Sequence, residues 1–369
     1  MDKTTMRISN STLTSLCDEF KKNNRIEPEK FEKYEVKRGL RNADGSGVMA
    51  GLTRICNVHG YVMNEGEKAP VEGRLIYRGI DINDLVGGCV SENRFGFEET
   101  AWLLLFGSLP SPQQLAKFTE ILSAYRELPE YFAEDMIIKA PSPNIMNKLA
   151  RSVLALYSYD DLPDDLSMEN VLRQSIELIA RLPSIMAYAY QVKRRHYDRE
   201  SMYFHPNVPG LSTAETILHS LRADSAYTEE EARLLDLCLM LHAEHGGGNN
   251  STFAARVLTS SGTDTYSAMG AAIGSLKGPK HGGANIKVME MLEYLKEGIR
   301  DWGDEDEVRA FLVRMINKQA GDRSGLVYGM GHAVYTLSDP RAVILKKYAV
   351  DLAEKRGYGP EFRLLETVE

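Results

Sequence analysis

The chain has 369 residues, 43% of them hydrophobic, and its formal net charge is −8 at pH 7. This length exceeds what one core comfortably supports, so we expect about two or three domains with enough apolar residues to bury. The negative charge argues against a nucleic-acid partner, because phosphate neutralisation requires clustered Lys and Arg.

The N-terminal part of the chain is predicted to be an arm followed by a hairpin. Residues 1–45 are polar, rich in Lys and Glu and mostly helical in pattern, and turn-forming residues follow them. Two strand-like runs come next, at Leu52–Asn57 and Gly73–Arg78, separated by a loop rich in Gly, Asn and Glu. We expect these two runs to form one small β-hairpin.

The rest of the chain is predicted to be almost entirely helical. Helical periodicity begins with Phe97–Phe106 and continues in Gln113–Arg126 and Ile145–Tyr157. It recurs in Tyr266–Leu276, whose small residues suggest a buried central helix. The fold class that follows is mostly α.

One helix is predicted to end beside a pair of histidines. Thr228 and Glu231 form a capping box, and the apolar pattern after them runs to His242. Three glycines at 246–248 then stop the helix.

The last part of the chain is predicted to form a second, smaller domain. A helix begins at Ala284, and Asp339 and Pro340 form the cap and first residue of another, so Arg341 lies in a first helical turn. We therefore divide the chain into the arm, a large helical domain over residues 46–282 and a small helical domain over residues 283–369.

The composition gives no sign of export or of a membrane span. No CxxC spacing occurs, and residues 1–30 contain charges without a continuous apolar stretch, which argues against a signal peptide. No window reaches the length of a membrane-spanning helix. We expect a cytoplasmic protein with reduced thiols at Cys17, Cys56, Cys89 and Cys238.

Two glycine-flanked histidines, His281 and His332, are the main candidates for acid–base chemistry. Flanking glycines let a ligand approach the main chain closely. His281 precedes the helix from Ala284, where the helix dipole favours a neutral imidazole able to donate to an oxygen that becomes negative. His332 lies nine residues before Arg341, so the pair could bind a dicarboxylate. The alternative for each histidine is a structural role in a tight turn.

A metal site is the less favoured interpretation of His242, Glu244 and His245. Zinc-binding helices usually place their histidines four residues apart, so no metal is expected and chelators should have no effect. Because the helix breaks at Gly246, His245 is predicted to project from the broken end beside Asn249. Both side chains could then donate hydrogen bonds to an oxyanion.

Three segments together resemble the citrate synthase family, whose members join acetyl-CoA to oxaloacetate. They are HAEHGGGN at 242–249, GPKHGGAN at 278–285, and GMGHAVY at 329–335 continuing to the DPR of 339–341. The resemblance extends from about residue 50 to the end, with weaker agreement at Tyr77–Asp81, Phe97–Gly107 and Leu182–Pro183. It implies a citrate-synthase-like, mostly α-helical homodimer with a cleft between a large and a small domain.

The resemblance also implies roles for single residues. His281 would stabilise the enol of acetyl-CoA, and His332 would protonate the oxaloacetate carbonyl. His245, Asn249 and Arg341 would bind oxaloacetate. Acetyl-CoA is a substrate, so no cofactor is expected. The main chain that would receive the adenine of coenzyme A comprises Leu326, Val327, Tyr328, Gly329, Met330 and Gly331.

The sequence departs from the family after the Asp-Pro-Arg motif. The family's aspartate base and two further substrate-binding arginines belong to a segment beyond this motif, and the sequence ends first. Asp339 matches the helix-capping aspartate of the motif and not the base. We therefore expect a truncated form of a longer synthase, with turnover reduced by orders of magnitude.

Two alternatives stay open at this point. A 2-methylcitrate synthase would use propionyl-CoA, and one extra methylene is worth only about 1–3 kcal/mol in a pocket. A non-catalytic homologue would keep the oxaloacetate contacts without turnover.

Overall fold

The computed structural model describes residues 27–33, 52–64, 67–279, 281–332 and 334–369. Residues Thr53–Glu369 form one compact unit. Helix α1 (Pro28–Lys33) belongs to the predicted N-terminal arm, and residues 1–26 and 34–45 of this arm lie outside the described residues. The division into a large and a small domain at residues 282 and 283 stays a prediction.

A three-stranded antiparallel sheet, in the order β1-β2-β3, opens the compact unit. Its strands are β1 (Cys56–Asn64), β2 (Glu67–Tyr77) and β3 (Ile80–Asp81). The predicted hairpin is present, but its strands are longer than predicted and β1 begins at Cys56 instead of Leu52. The pairing extends through the polar segment between the two predicted runs, where charged and amide side chains hide the strand pattern.

Helices dominate the chain from Ile82 onward. The prediction for Phe97–Phe106 is confirmed at both ends, and Gly107 stops this helix with a left-handed backbone (φ 89°). Two helices of this part were not predicted, one carrying adjacent glycines at 87–88 and the other carrying Pro183 in its interior. The α-helices of this part, up to residue 193, are α2 (Ile82–Ser91), α3 (Phe97–Phe106), α4 (Pro112–Tyr125), α5 (Ile145–Leu156) and α6 (Met168–Lys193).

Two of the later helices begin at predicted capping residues. The Thr228 hydroxyl accepts from the Glu231 N–H, and the Glu231 carboxylate accepts from the Thr228 N–H, which confirms the capping box. Asp339 caps the helix that begins at Pro340. The α-helices of this later part are α7 (Thr213–Leu221), α8 (Glu229–His242), α9 (Asn250–Thr259), α10 (Thr265–Leu276), α11 (Ala284–Gly298), α12 (Glu305–Ile316), α13 (Pro340–Lys355) and α14 (Gly359–Val368). Within the described part of the chain, none of the helices is both long and apolar enough to cross a bilayer.

One hydrophobic core joins the elements that carry the candidate site residues. It brings together side chains of β2, α2, α3, α8 and α13. Leu75 and Tyr77 of β2, Leu241 of α8 and Ile344 of α13 are all buried in it. Burial of each such side chain contributes about 1.5–3 kcal/mol, so the end of α8 and the start of α13 are held near β2.

Ion pairs connect the first turn of α8 with Arg222, which precedes this helix, and with Arg356 at the C-terminal end of α13. Glu231 accepts two hydrogen bonds from Arg222 at 2.8 Å and one from Arg356 at 2.6 Å. The hydrogen bonds from Arg222 and the capping contacts with Thr228 outweigh burial and lower the pKa of Glu231 to about 2.

We predict that Glu231→Gln lowers the free energy of unfolding by about 1–2 kcal/mol, because charge-assisted hydrogen bonds at a partly exposed site are lost. The folded-state pKa is depressed, so this contribution is present above pH about 4.5 and disappears as the pH falls towards about 2. Urea denaturation at pH 7 and at pH 3 measures both effects. Glu120→Gln, which removes an exposed pair with Lys117, is the matched control. Equal losses for both variants at pH 7 would contradict the assignment.

Candidate active site

Two imidazole rings meet beside this core. The ring centroids of His245 and His332 are 5.0 Å apart, and the rings are nearly perpendicular, at 83°. The Tyr335 ring stacks on His332 at 4.9 Å and meets His245 edge-on at 5.7 Å. The guanidinium of Arg341 lies 5.9 Å from the centre of the Tyr335 ring. Three residues predicted to share a site therefore lie around one tyrosine.

The position of His245 is fixed at the C-terminal end of α8. The Tyr77 hydroxyl lies 3.2 Å from the carbonyl oxygen of Met240 and 2.9 Å from that of Glu244, and it accepts from the Glu244 N–H at 3.3 Å. Gly246 then turns the chain with a φ of +82°, a conformation that glycine adopts without strain. Strand β2 thus anchors the segment that presents the first imidazole.

The His245 ring is neutral and has an unused polar atom. Its Nε2 is buried and has no hydrogen-bond partner among the described residues. Burial, followed by the charges of Arg341 and His332, lowers the pKa of His245 to about 4. A buried polar atom without a partner costs about 1–3 kcal/mol, so a ligand oxygen at this nitrogen would stabilise the site.

The His332 ring is oriented by its own turn. Its Nδ1 accepts hydrogen bonds from the main-chain N–H groups of Val334 and Tyr335, at 3.1 and 3.0 Å. An accepting nitrogen carries no proton, so the neutral ring has its proton on Nε2. Burial, followed by the charge of Arg341, lowers the pKa of His332. His332 therefore has the structural role in a tight turn that was its alternative interpretation. The same turn leaves its Nε2–H available as a donor.

Arg341 lies in the first turn of α13, as predicted, but it already has a carboxylate partner. Asp339 accepts from the Arg341 main-chain N–H at 2.9 Å, from Nε at 3.0 Å and from Nη2 at 2.6 Å. Burial disfavours the charged form of both side chains. Their hydrogen bonds and opposite charges outweigh this effect, so the pKa of Asp339 is lowered and the pKa of Arg341 is raised. Within the described residues Nη1 has no hydrogen-bond partner, which leaves it for an anion.

Asn249 has a structural function that was not predicted from the sequence. Its Oδ1 accepts from the Thr252 N–H at 2.8 Å and the Ser251 hydroxyl at 2.6 Å, so it caps α9. Its Nδ2 donates to the Gly246 carbonyl at 2.6 Å, which closes the turn after His245. One hydrogen of Nδ2 remains for another acceptor.

His281 lies on an exposed turn before α11. Its N–H donates to the Gly278 carbonyl at 3.1 Å, and its carbonyl accepts from the Ala284 N–H at 2.8 Å. In the part of the chain that the structure describes, no ring contact, hydrogen bond or ion pair joins its side chain to His245 or His332. The structure therefore does not bring this histidine into the cluster.

The loop predicted to receive adenine is open to solvent along much of its length. Leu326 and Met330 are exposed. Gly329 and Gly331 have φ values of +81° and +83°, and the Tyr328 hydroxyl donates to Asp322 at 2.6 Å. Two left-handed glycines close together leave main-chain groups accessible to a ligand.

Three neighbouring residues of the cluster were not predicted as site residues: Cys56, Tyr77 and Tyr335. Desolvation raises the pKa of Cys56 to about 12, and the charge of Glu244 adds to this effect, so the thiol stays protonated. Tyr335 follows His332 by three residues, which is the one sequence signal that could have identified it. Among the described residues, no three His, Cys, Asp or Glu side chains form a metal-binding group.

We predict that Arg341→Gln raises the pKa of His245 above about 4, because a nearby positive charge is removed. The pKa should stay below 6.5, since burial is the larger cause. NMR titration of the imidazole resonances measures this change. Lys347→Gln, which removes an exposed charge from the same helix, should leave the pKa unchanged. A wild-type His245 that titrates near 6.5 would contradict the described burial.

Comparison with known proteins extends over most of the chain. The family described as "Citrate synthase, C-terminal domain" matches residues 43–369. A citrate synthase from Haloferax volcanii is 35% identical over 329 residues, which cover 88% of this chain and 76% of that protein.

Solved structures of citrate synthases have the same fold as this chain. The citrate synthase of Pyrobaculum aerophilum superposes with a TM-score of 0.71 at 27% identity, over 89% of this chain and 77% of that chain. A Thermoplasma acidophilum citrate synthase, in a ternary complex with carboxymethyl coenzyme A and oxaloacetate, superposes with a TM-score of 0.69 at 24% identity, over 91% and 78% of the two chains. With the family match over residues 43–369, these likenesses establish that the chain belongs to the citrate synthase family of acyltransferases.

Proposed function

We propose that the citrate synthase reaction of this chain uses the cluster of His245, His332 and Arg341 as its oxaloacetate site. The observation that carries this proposal is the buried Nε2 of His245, which has no partner among the described residues and lies beside a second imidazole. An oxygen of oxaloacetate would give this buried nitrogen the hydrogen-bond partner that it lacks. The structure of the Thermoplasma relative in complex with oxaloacetate supports the choice of ligand.

The protonation states suit a substrate that carries two carboxylates and one carbonyl. The Nε2–H of His332 would donate to the carbonyl oxygen, and Arg341 would bind a carboxylate through its unused Nη1. As the new carbon–carbon bond forms, negative charge develops on the carbonyl oxygen, and the proton on Nε2 passes to it, which leaves an anionic imidazolate ring in the field of Arg341. A neutral imidazole is suited to this step because its donor is in place before the charge appears.

The second substrate in this proposal is acetyl-CoA. Its adenine would lie against the main chain of Leu326–Gly331. His281 would donate to the enol oxygen once the acetyl methyl group has lost a proton to a base, and none of the residues assigned here is that base. The exposed position of His281 is compatible with a ring that meets the thioester only when this substrate is bound. Water then hydrolyses the thioester, which gives citrate and free CoA.

We also propose that two copies of the chain form a dimer. Helix α10 packs closely on α5, where a side chain at Gly270 would lie only 3.0 Å from Leu154. On the outside, Leu154 of α5 and Val257 of α9 are each 48% exposed, and a second copy would cover such apolar side chains.

We also propose a cytoplasmic location, which agrees with the unpaired state of the cysteine thiols. Cys56, Cys89 and Cys238 are unpaired within the described residues. Unpaired thiols are typical of proteins kept in a reducing compartment.

We predict that the wild-type chain binds oxaloacetate and that His332→Ala and Arg341→Ala each weaken binding about 5- to 100-fold, since a hydrogen bond or a charged contact is lost. Isothermal titration calorimetry measures the dissociation constants without requiring turnover. Lys347→Ala on the same helix is the control and should bind like the wild type. Wild-type binding that neither substitution changes would refute the site.

For the dimer, we predict that sedimentation velocity gives twice the 41.3 kDa mass of the chain. Leu154→Asp should shift the protein towards the monomer, because a charge is expensive to bury at an interface. A wild-type monomer at micromolar concentration would contradict the proposed dimer.

A further inference from the structure

Tyr335 lies at the centre of the oxaloacetate cluster and has no part in the chemistry described above. Only 4% of its surface is exposed. We propose that Tyr335 is a positioning residue that sets the orientation of the His332 ring and the location of the Arg341 guanidinium relative to His245. This inference rests on the proposed function, since it concerns the same site.

The ring of Tyr335 contacts three predicted site residues: His245, His332 and Arg341. Its plane is inclined by only 25° to that of His332, so the two rings stack, and it meets His245 at 82°. The Arg341 guanidinium lies over the same ring. Stacked and edge-on aromatic contacts each have a preferred geometry, and a cation is attracted to a ring face. One side chain thus limits the movement of three others.

Tyr335 is itself fixed to the sheet. Its hydroxyl donates to the main-chain carbonyl of Arg74 in β2 at 3.1 Å. The Gly73 N–H donates to the hydroxyl of Ser338 at 3.3 Å, and this hydroxyl also donates to Glu72. The loop between His332 and α13 is therefore attached to β2 at two points.

Two glycines allow this close attachment. A Cβ at Gly73 would lie 2.8 Å from Cδ1 of Tyr335, and a Cβ at Gly60 would lie 2.5 Å from the Val334 carbonyl oxygen. Both distances are shorter than any tolerated contact, so side chains at these positions would push the loop away from the sheet. The absence of side chains at Gly60 and Gly73 therefore leaves room for the Tyr335 ring and its loop against the sheet.

The hydroxyl of Tyr335 cannot serve as a donor to substrate while it is used in this way. It has one hydrogen, which the Arg74 carbonyl accepts. Desolvation of the phenol, followed by the nearby charge of Asp339, raises its pKa, so the group keeps that hydrogen at physiological pH. The role that remains is the placement of the imidazole and the guanidinium by the ring.

The test compares Tyr335→Leu, which removes the ring, with Tyr335→Phe, which keeps the ring and loses the hydroxyl. We expect the leucine variant to bind oxaloacetate about tenfold or more weakly, because small displacements of binding groups have large effects. The phenylalanine variant should bind within about threefold of wild type, since the stacking contacts remain. Calorimetry with oxaloacetate gives both values.

A second measurement separates positioning from a general loss of packing. Removing the ring admits water beside His332, so the pKa of that imidazole should rise in Tyr335→Leu and stay in place in Tyr335→Phe when titrated by NMR. Tyr266→Phe is the matched control, because Tyr266 is equally buried and donates its hydroxyl to Asp160 in another core. It should change neither oxaloacetate binding nor the titration of His332.

The inference is overturned if Tyr335→Leu binds oxaloacetate like wild type and its His332 titration is unchanged. It is also overturned if binding weakens in proportion to the loss of thermal stability while the titration stays the same. Should the leucine variant not fold, Tyr335→Met, whose longer and more flexible side chain adapts to the space, is judged by the same outcomes. If the wild type does not bind oxaloacetate, the proposed function fails, whereas the NMR titration still tests the placement of the ring.

Discussion

The attachment of two distant loops to strand β2 is the constraint on which the site depends. The Tyr77 hydroxyl of β2 bonds to the carbonyl of Glu244, just after α8 and 167 residues later in the chain. The Arg74 carbonyl of the same strand accepts from Tyr335, which lies 261 residues later. Because a single extended segment contacts both loops, the spacing of His245 and His332 follows from the geometry of one strand. The hydrophobic core around Leu75 and Tyr77 keeps that strand in place.

The electrostatics of the site follow from this packing. Two imidazoles are placed next to the permanent positive charge of Arg341 in a partly desolvated space, and both effects favour the neutral rings. Protonated imidazoles beside a guanidinium would repel it and one another. Asp339 balances the charge of Arg341 in the free protein. An incoming dicarboxylate would supply further negative charge without requiring either histidine to be protonated.

Much of this arrangement could be predicted from the sequence, because helix caps and glycine stops act locally. The capping box of Thr228 and Glu231 and the left-handed Gly107 set helix ends where the sequence places them. The long helix through Pro183 could not be predicted in this way, since an interior proline normally ends a helix and here its burial in the tertiary structure compensates.

The site was predictable only in part, for a similar reason. His245, His332 and Arg341 lie in recognisable glycine-flanked or helix-start patterns, and the structure places their side chains around Tyr335. The contacts of Tyr77 with Glu244 and of Tyr335 with Arg74 join segments far apart in sequence, and no local pattern predicts them.

A crystal structure of the chain with oxaloacetate tests the central claim most directly. We expect the ligand carbonyl oxygen within about 3 Å of the Nε2 atom of His332, with another ligand oxygen equally close to Nε2 of His245. Oxaloacetate bound elsewhere, with these two nitrogens still unpaired, would contradict the account.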